Sequence, residues 1–141
     1  MAWRFPLDKV HRGTAFGVKD ALHPNGHRGS DYNGVPVGTP IKSVSDGVVA
    51  MTMTSKVLGN IIVIKTGNLY FGYCHMEKPS ALAAKKKVKA GDVIGHVGNT
   101  GTASSGAHLH LTLGHQASSV VVGDVLDADA FLKSKIEEGK A

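Results

Sequence analysis

Two short patterns in the chain combine residues that bind metals and move protons. The first is His108-Leu109-His110-Leu111-Thr112-Leu113, an alternating run of strand character. Side chains two apart on a strand share a face, so His108 and His110 project together while Leu109, Leu111 and Leu113 turn toward a core. The second is His27-Arg28-Gly29-Ser30-Asp31. Gly26, Gly29 and Gly34 argue against a helix here. Gly29 is expected to let the backbone fold so that imidazole and carboxylate converge on one point. Both groups are good ligands for a divalent transition metal. Together the patterns offer a His-Asp-His ligand set with one further histidine beside it. Three protein ligands leave the fourth position of tetrahedral zinc open, the arrangement of a catalytic site. A structural zinc site would favour cysteine, and the chain has only Cys74. A water in the open position would have its pKa lowered towards about 7.

A hydrolase built on such a centre needs a base for the water and a donor for the developing oxyanion. Alternation with His110 places His108 for one role, and His75 in Tyr73-Cys74-His75-Met76 is the best candidate for the other. Strict alternation would put Tyr73 and His75 on one face and Cys74 on the opposite one. Cys74 then reads as a small buried hydrophobe rather than a nucleophile.

These residues need a scaffold, and the punctuation of the chain describes it. Glycine accounts for 18 of 141 residues, which favours turns between short strands. Apolar runs at Ile41–Val44, Val48–Met51, Ile61–Ile64, Leu69–Met76, Val93–Val97 and His108–Leu113 are separated by Gly, Pro, Asn and Asp signals. Thr66-Gly67-Asn68 reads as a hairpin turn. The expected fold is all-β, a mainly antiparallel twisted sheet with long loops, in one domain spanning residues 1–141. The tail is the one helix, capped by Asp127 or Asp129, with Ala130, Phe131, Leu132 and Ile136 as a weak apolar face and a frayed end.

Composition narrows the function classes. The net charge of +5 and pI near 9.4 draw the chain to polyanions without choosing among them. Lys85-Lys86-Lys87 with Lys89 lacks the interleaved aromatics of a base-stacking surface, so it reads as a solvated loop and no nucleic-acid partner is expected. No run of about 18 apolar residues is present, so no membrane insertion is expected. The start, Met1-Ala2-Trp3-Arg4-Phe5-Pro6, has no apolar leader region, which suggests synthesis in a cytosol without a signal peptide. A single cysteine allows no internal disulfide.

The motifs His27-x-x-x-Asp31, Tyr73-x-His75 and His108-x-His110, in that order, resemble those of the lysostaphin- and LytM-like zinc endopeptidases of peptidoglycan. Flanking sequence agrees from about Phe16 to Leu113, including Val37-Gly38-Thr39-Pro40-Ile41, Ser45-Asp46-Gly47-Val48-Val49, Lys87 to Gly95 and Val97-Gly98-Asn99-Thr100-Gly101. Ala107 stands where many members have proline, and Val120–Asp127 replaces a shorter ending and looks like a closing strand or loop. The resemblance implies one Zn2+ per chain on His27, Asp31 and His110, with His75 and His108 as the catalytic pair under a groove. His11, His23, His96 and His115 stay outside the site. It implies hydrolysis of stem-peptide or cross-bridge amides, and so lysis of the bacterial wall by a monomer. A phage endolysin released by a holin is the expected setting, with an excised catalytic domain of a larger protein as the alternative. Some family members have lost their ligands and only activate other hydrolases; here all five positions are filled. A biotinyl- or lipoyl-carrier reading of Val88 to Gly95 fails because Ala50-Met51-Thr52-Met53-Thr54 has no lysine to carry the cofactor.

Overall fold

The structure, a computed structural model, describes residues 2–140. Its strands are β1 (Ser30–Tyr32), β2 (Pro40–Lys42), β3 (Gly47–Ser55), β4 (Gly59–Thr66), β5 (Leu69–Met76), β6 (Lys87–Val88), β7 (Val93–His96) and β8 (Leu109–Gly114). The β-branched run of β4 sits at the middle of a meander with β3 and β5, where both its faces are covered. Gly67 and Asn68 turn β4 into β5, and Gly67 has φ of 59°, a backbone state that costs glycine nothing. The main sheet has the order β1-β8-β5-β4-β3-β6, while β2 and β7 pair separately; every pairing is antiparallel. The all-β expectation holds, with one short C-terminal helix, α1 (Ala128–Glu138).

Alternation sorts the two faces of the sheet. Ile62 and Ile64 of β4, Phe71 and Tyr73 of β5, and Leu109, Leu111 and Leu113 of β8 are buried together in the main core. Each such side chain contributes roughly 1.5–3 kcal/mol by leaving water. Leu7 of the N-terminal arm and Leu132 of α1 complete that core, and Trp3 meets Phe131 edge-on at 5.2 Å between ring centroids. On the opposite face Ile61, Val63, Cys74 and Val120 form a smaller cluster beneath a 3₁₀ turn, Ala117–Val120. A Cβ on Gly72 would lie 2.5 Å from Val120 Cγ2, so only glycine lets this turn rest on the sheet.

Three details sharpen or correct the sequence reading. Asp31 lies inside a short strand, β1, because its backbone pairs with β8. Of the closing strand or loop expected over Val120–Asp127, the structure has the loop, with one bridge of Leu126 to Leu113, since Val120 ends the 3₁₀ turn. In α1, capped by Asp127 through the Ala130 amide, Ala128 and Leu132 reach the core while Ala130 faces solvent.

Candidate metal centre

Pairing of β1 with β8 sets Asp31 directly opposite His110, so both side chains leave the sheet on one face. His27, just ahead of β1, completes a cluster of possible metal ligands with them, buried or nearly so. His110 Nδ1 lies 3.1 Å from His27 Nε2 and 3.0 Å from Asp31 Oδ1, and His27 Nε2 lies 3.3 Å from Asp31 Oδ1. Tetrahedral zinc with bonds of roughly 2.0–2.1 Å requires ligand atoms about 3.3 Å apart, so the donor set fits that ion. His27 Nδ1 donates to the Ala15 carbonyl at 3.2 Å, which leaves Nε2 as the coordinating atom.

Gly29 matters here for its lack of a side chain. It does not adopt a positive φ, so conformational freedom is not its role. A Cβ there would lie 2.5 Å from the Leu111 carbonyl oxygen and 2.7 Å from His110 Cε1. Glycine is what lets the segment carrying His27 and Asp31 run against β8.

Electrostatics favour an ionised carboxylate in the cluster. Burial alone would raise the Asp31 carboxyl, but hydrogen bonds from His110 and His27 outweigh it and hold the group below the usual carboxylate range. Burial opposes charge on both rings. At His27 the Asp31 carboxylate prevails and raises the pKa, whereas at the more deeply buried His110 desolvation prevails and lowers it.

His75 and His108 stand beside this trio, with ring centroids 4.7 Å apart and His75 5.9 Å from His110. The route to this position corrects the simple alternation. Tyr73 opposes Leu111 and points into the main core, where its hydroxyl accepts from the Val44 amide; Cys74 opposes His110 on the other face. Unbroken alternation would return His75 to the Tyr73 side. Instead the β4–β5 register shifts between Asn60 and Ile62, His75 takes φ of 62°, and its ring joins the His110 face. Both rings are anchored through Nδ1, His75 on the Thr100 carbonyl at 2.5 Å and His108 on the Gly106 carbonyl at 2.8 Å. Each therefore offers Nε2, and that of His108 lies 3.8 Å from Asp31 Oδ2. Burial, reinforced by the neighbouring His108 and His110, pushes His75 down to about 4 against the opposing hydrogen bond to Thr100.

His11, His96 and His115 are exposed and give no atom to the cluster. His23 meets His27 edge-on, with ring centroids 4.5 Å apart, but turns its Nδ1 to Asp20. The sequence reading missed the supports. The carbonyls of Ala15, Thr100 and Gly106 leave no residue-type signature. Asp129 at the start of α1 accepts from Tyr32 at 2.7 Å and from Arg12, and its amide donates to Ser30, so α1 grips both ends of β1 around Asp31. A groove of about 440 Å³ leads away from His27 and His110 between Leu22, Leu58 and Val121.

Proteins of known structure share this fold. The chain is 39% identical over 117 residues to peptidoglycan DD-endopeptidase ShyA of Vibrio cholerae, an alignment covering 78% of this chain and 26% of that protein. It thus spans about a quarter of that relative's length. A zinc-containing peptidase from Vibrio cholerae superposes with a TM-score of 0.72 at 28% identity, over 80% of this chain and 36% of the other. The catalytic domain of lysostaphin from Staphylococcus simulans superposes with a TM-score of 0.76 at 28% identity, over 88% of this chain and 92% of that one. The model of Peptidase family M23 matches residues 25–122, and the chain belongs to that family.

Proposed function

We propose that this chain is a zinc-dependent endopeptidase of the bacterial cell wall that hydrolyses amide bonds in peptidoglycan stem peptides or cross-bridges. The observation that carries the reading is the His27, Asp31 and His110 donor set, spaced at 3.0–3.3 Å, with His75 and His108 facing it. One zinc ion on those three residues would supply Lewis acidity at the scissile carbonyl and a more acidic water. The chain's own groups do the rest. One of His75 and His108 accepts the proton of the attacking water through Nε2 and delivers it to the leaving amine. The other, as its protonated imidazolium, donates from Nε2 to the carbonyl oxygen as charge develops there. The Thr100 and Gly106 carbonyls hold both rings in register, and the apolar groove past Leu22 and Leu58 seats the peptide.

The DD-endopeptidase name of the Vibrio relative supports a cross-link between stem peptides as the target. We propose further that the 141 residues act as one monomeric domain, delivered to the wall as a phage endolysin by a holin; this setting draws on the family resemblance. The test uses purified walls: a strong chelator should stop fragment release, added zinc should restore it, and mass spectrometry should find new termini within stem peptides or bridges. Chelator-resistant release would remove the metal mechanism, and new reducing sugar ends would move the cut to glycan. Expression in a host with and without a holin should give lysis only with it; lysis in its absence would remove the endolysin setting.

A further inference from the structure

A second chemical feature stands on the same sheet, away from the metal centre. Lys87 of β6, Val48 of β3 and Lys65 of β4 are consecutive cross-strand partners, and Tyr70 of β5 and Gly114 of β8 continue the row. Gly114 is four residues beyond His110 on β8, which sets the row roughly 14 Å along the strands from the cluster. The two lysines, separated by one strand, are roughly 10 Å apart at their backbones. With Lys89 they line an open groove of about 530 Å³.

Among the described residues the ion pairs of Lys and Arg involve Lys42, Lys135, Lys140, Arg4 and Arg12, and none involves Lys65, Lys87 or Lys89. Asp46, which lines the groove, accepts from the Ala90 amide, and Asp92 accepts from the Lys89 amide, each at 2.9 Å, so three lysines share the groove with one lining carboxylate. The Lys65 ammonium lies over the Tyr70 ring, 5.8 Å from its centroid, so the aromatic of the row is capped by a cation rather than open to a stacking base. None of the large exposed hydrophobic residues lines the groove, as a lipid-inserting surface would require.

We propose that the Lys65–Lys87–Lys89 groove binds a wall-attached polyanion, a polymer of phosphodiester-linked polyols, and so holds the enzyme on its insoluble substrate. A chain of phosphates without bases meets three ammonium groups that share one groove, and each neutralised phosphate releases counter-ions. The choice of a wall polymer over other polyanions rests on the wall-peptidase reading; the basic groove does not. The sequence-level view of this lysine run as a solvated loop omitted Lys65, which reaches the groove from another strand.

The test titrates the whole chain with purified poly(glycerol phosphate), with duplex DNA and with anionic phospholipid vesicles at several salt concentrations. The variant K65Q/K87Q/K89Q should bind the polyol phosphate at least ~10-fold more weakly, with a salt slope smaller by about 2 to 3. The variant K133Q/K135Q/K140Q removes as much charge from α1 and its end and should keep native binding. Cleavage of a soluble cross-linked peptide should be the same in both variants as in the parent. Unchanged polymer binding in the groove variant, or an equal loss in the α1 variant, would overturn the site. Tighter binding of DNA or vesicles than of polyol phosphate would overturn the ligand. Polymer binding that persists in a protein unable to cleave peptide would instead count against the peptidase reading alone.

Discussion

Gly29→Ala is the most searching single test of the metal centre, because it adds one methyl group and touches no ligand atom chemically. The new Cβ would sit 2.5 Å from the Leu111 carbonyl oxygen, 2.7 Å from His110 Cε1 and 2.9 Å from His110 Nε2. Ordinary contact begins near 3.4 Å, so the imidazole must retreat by 3.4 − 2.7, or about 0.7 Å, or β1 must part from β8. A metal site tolerates ligand displacements of only about 0.2 Å, so either response spoils the donor triangle. Loss of ligand orientation typically weakens metal binding ~10–100-fold, equivalent to about 1.4–2.8 kcal/mol. The overpacking should also cost the metal-free fold about 1–3 kcal/mol. Zinc affinity is measured by competition with a chromophoric chelator, and stability by denaturant titration of the metal-free protein. Gly106→Ala is the control, since a Cβ there meets nothing within 4 Å. A Gly29→Ala protein with parental zinc affinity would refute the close-approach argument.

Further tests separate the roles of the remaining groups. His110→Ala and Asp31→Ala should each abolish stoichiometric zinc binding and peptide cleavage, as read by metal analysis and fragment release. His75→Ala and His108→Ala should keep zinc yet lose at least ~10²-fold in rate, the usual scale for a proton-transfer group. Tyr32→Phe should cost about 1.5–3 kcal/mol in urea unfolding, because it breaks a buried hydrogen bond to the Asp129 carboxylate. Cys74 should resist thiol reagents until the protein unfolds, since burial, with the Asp31 charge, pushes its thiol well up. The folded state then holds that proton more tightly than the unfolded chain. The contribution to stability is full below about pH 8.5 and declines as pH rises above it, and Cys74→Ala should flatten that decline.

Much of this architecture is legible in the residues because it depends on local period. The Leu109, Leu111 and Leu113 alternation predicts the buried face of β8, and thereby the common face of His108 and His110, both of which approach Asp31. The approach of His75 is harder to read. An extra residue in the β5 ladder and a positive φ reverse its direction, and neither leaves a mark in a pattern of apolar and polar types. Residue type alone points to Gly29 for conformational freedom, whereas its role is space, because the φ of a glycine and the room around it cannot be separated without the partner strand. The grip of Asp129 on Tyr32 and Arg12 joins residues 97 and 117 positions apart, where sequence spacing carries no information.

The pairing of β1 with β8 has a consequence for the order in which the molecule comes into being. His110 and Asp31 are 79 positions apart and His110 and His27 are 83 apart, so the cluster closes only after most of the chain has been made. The β3–β4–β5 meander needs only neighbouring segments and can form first, whereas closing so long a loop is entropically slow. A nascent or truncated chain ending before β8 has two of the three candidate ligands, His27 and Asp31, and lacks His110. On the proposed reading, catalytic competence therefore waits on one long-range strand pair rather than on any local segment.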